Sequence, residues 1–314
     1  EVQKLVSCVL DIGIHKVVCE VPRMGGAFGG KESQASNYAC MAALGACTTG
    51  RPVKVWLNRD QDMIQTGKRH PFWSQYEAGF DSRGVLTALR VRIYGDAGWS
   101  QDLSQPIVDR ALFHLDNAYF LENVDFEGRI CRTNLPSNTA FRGFGGPQGM
   151  LVVEDALSRY AERTGRDPAE VRRLNYYGPA PRDRAPYGQE ITECRLETIH
   201  AQLMETSDYE ARRAQIEADN ARRMFTKRGL AFQPVKFGIS FTKSILNQAG
   251  AFVLVYTDGT VQLNHGGTEM GQGLFVKVAQ VVAEEFQIDL DKVKITATTT
   301  AKVPNTSATA ASSG

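Results

Sequence analysis

Apolar residues recur at helical spacing in several parts of the chain, and residues that start or stop helices bound these parts. The clearest case is the segment 150–164, which has Gly165 directly after its last apolar position. The dipeptide Asp167-Pro168 that follows predicts a short helix with a polar N-cap and a proline in its first turn. Further helices are predicted over residues 1–10, 31–46, 193–226 and 274–287.

Other stretches are rich in β-branched and aromatic residues, which indicates strands. Asp258-Gly259 separates two of them, 251–256 and 261–264, and this dipeptide is typical of a tight hairpin. The segments 52–57, 74–80, 86–95 and 126–132 predict an antiparallel sheet, and further strands are predicted at 15–21 and 292–299. The expected class is therefore α+β, with mixed antiparallel sheets and helices.

A stretch rich in proline, glycine and charge, residues 178–190, predicts a linker. We therefore expect two domains, covering residues 1–185 and 186–314. The chain begins with Glu1 and ends in TSATAASSG, and both ends are interpreted as cut edges of a longer protein.

The charges nearly cancel, since 36 Lys and Arg face 35 Asp and Glu for a formal net charge of +1. Such a balance gives no support for a nucleic-acid groove or an anionic membrane surface. No apolar run approaches the roughly 20 residues that span a bilayer, so a cytoplasmic protein is expected. The six cysteines lack CxxC spacing, which favours reduced thiols over disulfides or an iron–sulfur cluster.

Three glycine-rich loops carry the candidate chemistry: the first loop at 25–30, the second at 138–148 and the third at 265–273. Each precedes a predicted helix, where close backbone approach and free N–H groups favour an anionic ligand. A tight turn without a ligand is the alternative for the first loop. A nucleotide-binding P-loop is disfavoured, because Glu32 stands where that motif has a Mg²⁺-binding hydroxyl.

The second loop combines Arg142, which suits phosphate or carboxylate, with Phe144, which suits the face of a planar ring. Two ordinary core phenylalanines are the alternative for this loop. The third loop offers amide and carboxylate groups for a heterocycle edge, and His265 has no partner at metal-ligand spacing. Together the loops predict one large polar ligand with several rings and a phosphate.

Several ordered motifs resemble the molybdenum-cofactor-binding portion of the xanthine dehydrogenase family. They are MGGAFGGKE at 24–32, GKRHPF at 67–72, DRALFHLDN at 109–117, FRGFGGPQ at 141–148, KFGISFTKSILNQAGA at 236–251, GTEMGQG at 267–273 and VPNTSATAAS at 303–312. The resemblance implies molybdenum–molybdopterin as cofactor and hydroxylation of hypoxanthine or xanthine. It also implies 2Fe–2S clusters and FAD on partner domains or subunits, NAD or O2 as electron acceptor, and a dimeric complex.

The same resemblance assigns site residues by motif. Glu32 and Arg110 match the family's substrate-binding and catalytic pair, and their charges favour a purine over an aldehyde. The matching substrate pocket is completed by Phe144, Phe241 and Thr242. The implied cofactor contacts are Gly26, Phe28, Gly29, Arg142, Gln272, Ala310 and Ala311, of which Phe28, Arg142 and Ala311 lie nearest the metal.

One family feature has no counterpart in this sequence, namely the glutamate in a GEPP-like motif that acts as general base. The chain alone is therefore expected to be inactive. Two alternatives stay open: hydroxylation of an aldehyde or another N-heterocycle, and a non-catalytic module for cofactor binding or assembly.

Overall fold

The computed structural model describes residues 1–302 and 307–311, so residues 303–306 and 312 of the last motif lie outside the described residues. The helices are α1 Val2–Leu10, α2 Ala35–Thr49, α3 Arg59–Gln65, α4 Ser104–Phe113, α5 Gly146–Thr164, α6 Pro168–Leu174, α7 Leu196–Thr206, α8 Tyr209–Arg222 and α9 Leu274–Phe286. The strands are β1 Glu20–Val21, β2 Phe72–Phe80, β3 Leu86–Gly98, β4 Asn123–Arg132, β5 Ala251–Val255, β6 Val261–His265, β7 Val293–Ile295 and β8 Thr298–Thr299. No helix within these described ranges is both long and apolar enough to cross a membrane.

Two three-stranded sheets repeat one topology. In the first sheet β3 lies between β2 and β4, antiparallel to β2 and parallel to β4. In the second sheet β6 lies between β5 and β7 with the same directions. A helix joins each parallel pair, α4 in the first sheet and α9 in the second, because parallel neighbours need a crossover connection. The α+β class is confirmed, and the prediction of a purely antiparallel first sheet is wrong at β4.

The hairpin at Asp258-Gly259 is confirmed, with β5 and β6 paired on either side of it. The segment 52–57 forms no strand, although its composition favoured one. Its apolar side chains are exposed, including Trp56 at 76%, so the described structure gives them no sheet face to cover. Of the predicted strand at 15–21, only Glu20–Val21 forms a strand, and it pairs with Thr298–Thr299.

Two helices were missed at the sequence level. The helix α3 begins with a capping box, in which the Asn58 side chain and the Gln61 side chain each bond the other residue's backbone N–H. That pair is a signal the sequence does contain. The N-cap residue of α4, Leu103, makes no side-chain capping hydrogen bond, so the helix is stabilised by burial of Ile107, Val108 and Ala111.

The main core lies between the first sheet and the helices α4, α5 and α6. It contains Leu89, Val91 and Ile93 of β3, Val108 and Ala111 of α4, Val153 and Leu157 of α5, and Val171 of α6. Alternate residues of β3 face this core because successive strand side chains point to opposite sheet faces. A smaller cluster beneath the second sheet joins Val261, Leu263 and Val282.

The helices α4 and α5 approach so closely that one contact position is restricted to glycine. A Cβ placed on Gly149 would lie 2.1 Å from the carbonyl oxygen of Ala111. We expect Gly149→Ala to lower the free energy of unfolding by about 2 kcal/mol, because overpacking outweighs the better helix propensity of alanine. The measurement is urea denaturation, with Gly178→Ala as control because a Cβ at Gly178 meets nothing within 4 Å. Equal midpoints for the two variants would contradict the close approach.

Candidate cofactor and substrate site

The first and second glycine loops contact each other through their backbones. The Arg142 backbone N–H donates to the Phe28 carbonyl oxygen at 2.8 Å. A Cβ at Gly29 would lie 2.1 Å from the Ala140 oxygen, and Gly29 has φ of +133°. Only glycine meets both conditions, since L side chains rarely adopt this backbone conformation. The glycine at position 29 is therefore required for the two loops to meet.

The third loop joins this pair of loops and also binds the end of the described chain. The Met24 backbone N–H donates to the Glu269 carbonyl oxygen at 2.9 Å. The Thr268 N–H donates to the Thr309 hydroxyl at 3.0 Å. Three loops that are distant in sequence thus lie together, as expected if they share one ligand.

The amino end of α9 is occupied by a side chain of the third loop. The Glu269 carboxylate accepts backbone N–H groups from Gly271 at 2.8 Å, Gly273 at 3.1 Å and Phe275 at 3.0 Å. These N–H groups, with Phe275 foremost, lower the pKa of Glu269 because they stabilise its charged form. The predicted anion site at this helix start is therefore filled by the protein's own carboxylate.

The first loop also meets its helix differently from the prediction. The helix α2 begins at Ala35 rather than Lys31, and a turn over 31–34 separates it from the glycines. Glu32 therefore lies in this turn and not in the first turn of α2.

A segment we call the strap, residues 233–240, crosses the end of α4 just before Phe241. The Arg110 guanidinium donates to the Gly238 carbonyl oxygen at 2.5 Å and also to the Ser240 carbonyl oxygen. The Ser240 N–H donates to the Ala311 carbonyl oxygen at 2.6 Å. Three of the predicted site residues, Arg110, Phe241 and Ala311, are thus brought to the same strap.

His114, one turn along from Arg110, binds the strap as well. Its Nδ1 lies 2.8 Å from the Arg110 carbonyl oxygen, and the Gly238 N–H donates to its Nε2 at 3.1 Å. A carbonyl only accepts and an N–H only donates, so the ring is neutral with its proton on Nδ1. Burial lowers the pKa of His114, and the cations Arg110 and Lys236 lower it further.

Asp116 and Asn117, which follow this helix after His114 and Leu115, hold the start of the strap. The Asn117 amide donates to the Pro234 carbonyl oxygen at 3.0 Å, and its oxygen accepts the Lys236 N–H at 3.2 Å. The Asp116 carboxylate accepts hydrogen bonds from the Lys236 ammonium and the Tyr177 hydroxyl. Burial raises the pKa of Asp116, although the neighbouring ammonium opposes that rise. These contacts of Asp116 and Asn117 were not predicted, and the only signal for them in the sequence is the motif DRALFHLDN.

Two predicted substrate residues have buried polar atoms without a partner in the described part of the chain. The Glu32 Oε1 accepts from the Lys31 ammonium at 3.2 Å, and its Oε2 is buried and unbonded. Arg110 is 4% exposed, and its Nε is likewise buried and unbonded. Buried polar groups are normally paired, so both atoms mark places where a ligand would supply the bond.

The predicted aromatic and cofactor residues are more open. Phe144 has φ of +52° between two glycines, and its N–H donates to the Phe141 carbonyl oxygen at 2.8 Å. Phe241 is half-buried and Thr242 exposed. Phe28 is 67% exposed, which leaves its ring free at the junction of the first two loops.

The remaining predicted cofactor contacts also lie at the loops. Gly26 has positive φ and packs on the Phe28 ring, Arg142 is exposed, and the Gln272 amide bonds backbone groups of its own loop. Ala310 and Ala311 are half-buried. The Nε2 of His265, the first residue of the third loop, is a further buried atom without a partner among the described residues. Converging backbone loops and orphaned polar atoms fit a large polar cofactor.

Comparison with known proteins agrees with this geometry. The model of the molybdopterin cofactor-binding domain matches residues 1–176, and a second such model matches residues 202–314. The chain belongs to the molybdopterin cofactor-binding domains of the xanthine dehydrogenase family. The resemblance stated from the motifs is thereby confirmed, and molybdopterin is the cofactor of these domains.

Individual relatives extend along the whole chain. Xanthine dehydrogenase/oxidase of Mus musculus is 48% identical over 310 residues, covering 99% of this chain and 23% of that protein. Nicotinate hydroxylase of Emericella nidulans is 46% identical over 316 residues, covering 100% of this chain and 23% of that protein. The solved aldehyde oxidoreductase from Desulfovibrio gigas has a TM-score of 0.78 at 26% identity, covering 99% of this chain and 34% of that one.

The contact between the first two loops yields a direct test of the cofactor site. We expect Gly29→Ala to reduce the molybdenum and pterin retained by the purified protein several-fold, because a Cβ there separates the loops. Gly25→Ala is the matched control, since a Cβ at Gly25 meets nothing within 4 Å. Metal analysis and pterin fluorescence measure the retention. Full retention in Gly29→Ala would show that the contact between the loops is dispensable.

Proposed function

We propose that this chain is the part of a molybdenum hydroxylase that recognises a purine, with hypoxanthine and xanthine oxidised to xanthine and urate. The observation that carries the proposal is that Glu32 and Arg110 each hold a buried polar atom with no hydrogen-bond partner among the described residues. Similarity to xanthine dehydrogenases along the whole chain supports it. Because the chain spans 23% of those relatives, the activity belongs to a complete enzyme.

Each residue has a role that follows from its chemistry. The Glu32 carboxylate, whose Oε1 is bonded by Lys31, accepts an N–H from the heterocycle edge through Oε2, which has no partner among the described residues. The Arg110 guanidinium stabilises negative charge that develops on the ring, and burial strengthens this electrostatic effect. Phe144 and Phe241 bind the ring faces, with Thr242 beside them.

The backbone of the three loops holds the cofactor. Gly26, Phe28 and Gly29 contribute from the first loop, Arg142 from the second and Gln272 from the third. Ala310 and Ala311 close the site beside the strap. The bound molybdenum–molybdopterin supplies the two-electron oxidation with water as the oxygen source. The 2Fe–2S clusters, FAD and the site for NAD or O2 belong to other domains or subunits.

Hydroxylation of a different N-heterocycle is the second candidate function. The relative in Emericella nidulans is named a nicotinate hydroxylase and is 46% identical over the whole chain, close to the xanthine dehydrogenases. Overall identity therefore does not decide the substrate. Individual side chains of the proposed pocket determine the substrate preference, and Glu32 and Arg110 are its charged residues.

We expect Glu32→Gln in the complete enzyme to keep its molybdenum and to lose about 100-fold in kcat/KM for xanthine, as when one charge-stabilising group is removed. Arg110→Met should lose purine turnover as well. The exposed Glu122 provides the matched control, Glu122→Gln. The assay compares xanthine, nicotinate and an aromatic aldehyde.

The outcomes separate the candidates. Xanthine preferred by the wild type and lost in both variants supports the purine proposal. Preference for nicotinate or the aldehyde overturns the substrate while leaving the family intact. Molybdenum-loaded wild type that oxidises none of the three would instead support a non-catalytic module.

A further inference from the structure

We propose that His114 is a positioning residue, which as a neutral imidazole fixes the strap so that Arg110 and Phe241 face the substrate. The role in substrate binding rests on the proposed function. The geometric part, that His114 fixes the strap, stands on the contacts of the described residues alone.

Gly238 of the strap is bound on both sides of its backbone. Its N–H donates to His114 Nε2 at 3.1 Å, and its carbonyl oxygen accepts from Arg110 at 2.5 Å. His114 Nδ1 in turn donates to the Arg110 carbonyl oxygen at 2.8 Å. The imidazole, the guanidinium and one glycine therefore form a closed set of bonds, in which loss of one member displaces the others.

The position of Phe241 depends on the same bonds. Arg110 also binds the Ser240 carbonyl oxygen, one residue before Phe241. The Phe241 N–H is held by the Asn247 side chain at 2.8 Å. Because Phe241 follows Gly238 by only three residues, a displacement of Gly238 also displaces the aromatic ring that is predicted to cover the substrate.

The imidazole ring also packs within the site. The imidazole centroid lies 4.9 Å from the centroid of the Phe237 ring. The guanidinium carbon of Arg110 lies 5.5 Å from the same Phe237 centroid. A Cβ on Gly238 would lie 3.8 Å from both His114 and Arg110. The ring therefore contributes packing as well as hydrogen bonds, so the test must separate the two.

Protonation would reverse the bond to the strap. A proton on Nε2 makes that nitrogen a donor facing the Gly238 N–H, so two donors oppose each other. The charged groups that act on His114 are Arg110 from its own helix and Lys236 from the strap, and both are cations. Together with burial they lower the pKa of His114, which keeps the ring neutral at pH 7. As the pH falls through that lowered pKa, the bond to Gly238 is lost.

The experiment compares His114→Phe, which keeps a ring but no polar atoms, with His114→Gln, whose amide oxygen can accept from Gly238. Both are made in the complete enzyme, with His15→Phe at an exposed histidine as control. In His114→Phe we expect KM for xanthine to rise about tenfold, the change that corresponds to one ordinary hydrogen bond, with kcat changed less and molybdenum retained. His114→Gln should restore KM and remove the rise in KM that the wild type shows at acid pH.

Hydrogen–deuterium exchange of the peptide 236–241 provides a readout that needs no activity. We expect a lower protection factor, taken relative to the intrinsic exchange rate at each pH, in His114→Phe at pH 7 and in the wild type at acid pH, whereas His15→Phe should match the wild type. Unchanged exchange and unchanged KM in a molybdenum-loaded His114→Phe would overturn the proposal. If His114→Phe does not fold, equal acid-pH dependence of exchange in wild type and His114→Gln overturns it instead. Faster exchange of this peptide in a His114→Phe enzyme whose wild type oxidises no xanthine would support the role of His114 in fixing the strap and would reject only the proposed substrate.

Discussion

The hydrogen bonds between the end of α4 and the strap are the constraint on which the site depends. They join residues that are 128 positions apart in the sequence, Arg110 and Gly238. The strap forms no strand in the described structure, and side chains of the segment around the end of α4 bind several of its backbone N–H and carbonyl groups. Arg110, His114 and Asn117 bind the backbone of the strap, and Asp116 accepts from the side-chain ammonium of Lys236. The part of the chain that carries Arg110 is thereby held against the part that carries Phe241.

This arrangement changes the interpretation of Arg110. From the motif it was expected to bind substrate, and the structure shows two of its guanidinium nitrogens donating to backbone carbonyls of the strap. A guanidinium has five N–H donors in a fixed plane, so one group can hold the strap and still present Nε to a ligand. A lysine at this position has a flexible point charge instead and cannot satisfy both demands in a fixed geometry.

Much of the fold could be predicted from the sequence because local signals were strong. The hairpin at Asp258-Gly259 and the helix capped by Asp167 depend on a few adjacent residues, and both are confirmed. The parallel pairing of β4 could not be predicted, since it depends on α4 crossing the sheet and α4 is stabilised by burial rather than by its caps. The segment 52–57 failed for the opposite reason, because strand propensity without a neighbouring strand does not form a sheet.

The site shows the same division. Glycine loops are visible in sequence because positive φ and close approach leave few alternatives, as at Gly29. The meeting of the three loops, and the neutral state of His114, come from tertiary contacts that no local pattern encodes. The resemblance named the residues, whereas the contacts give physical reasons for several of them.

The Glu269 carboxylate has a consequence for the order of events in assembly. It accepts three backbone N–H groups, two in the third loop and one in the first turn of α9. The conformational entropy of this loop is therefore lost during folding of the chain and not at the moment the cofactor enters. A cofactor that binds this loop therefore meets a backbone that is already bonded, so its binding costs less ordering.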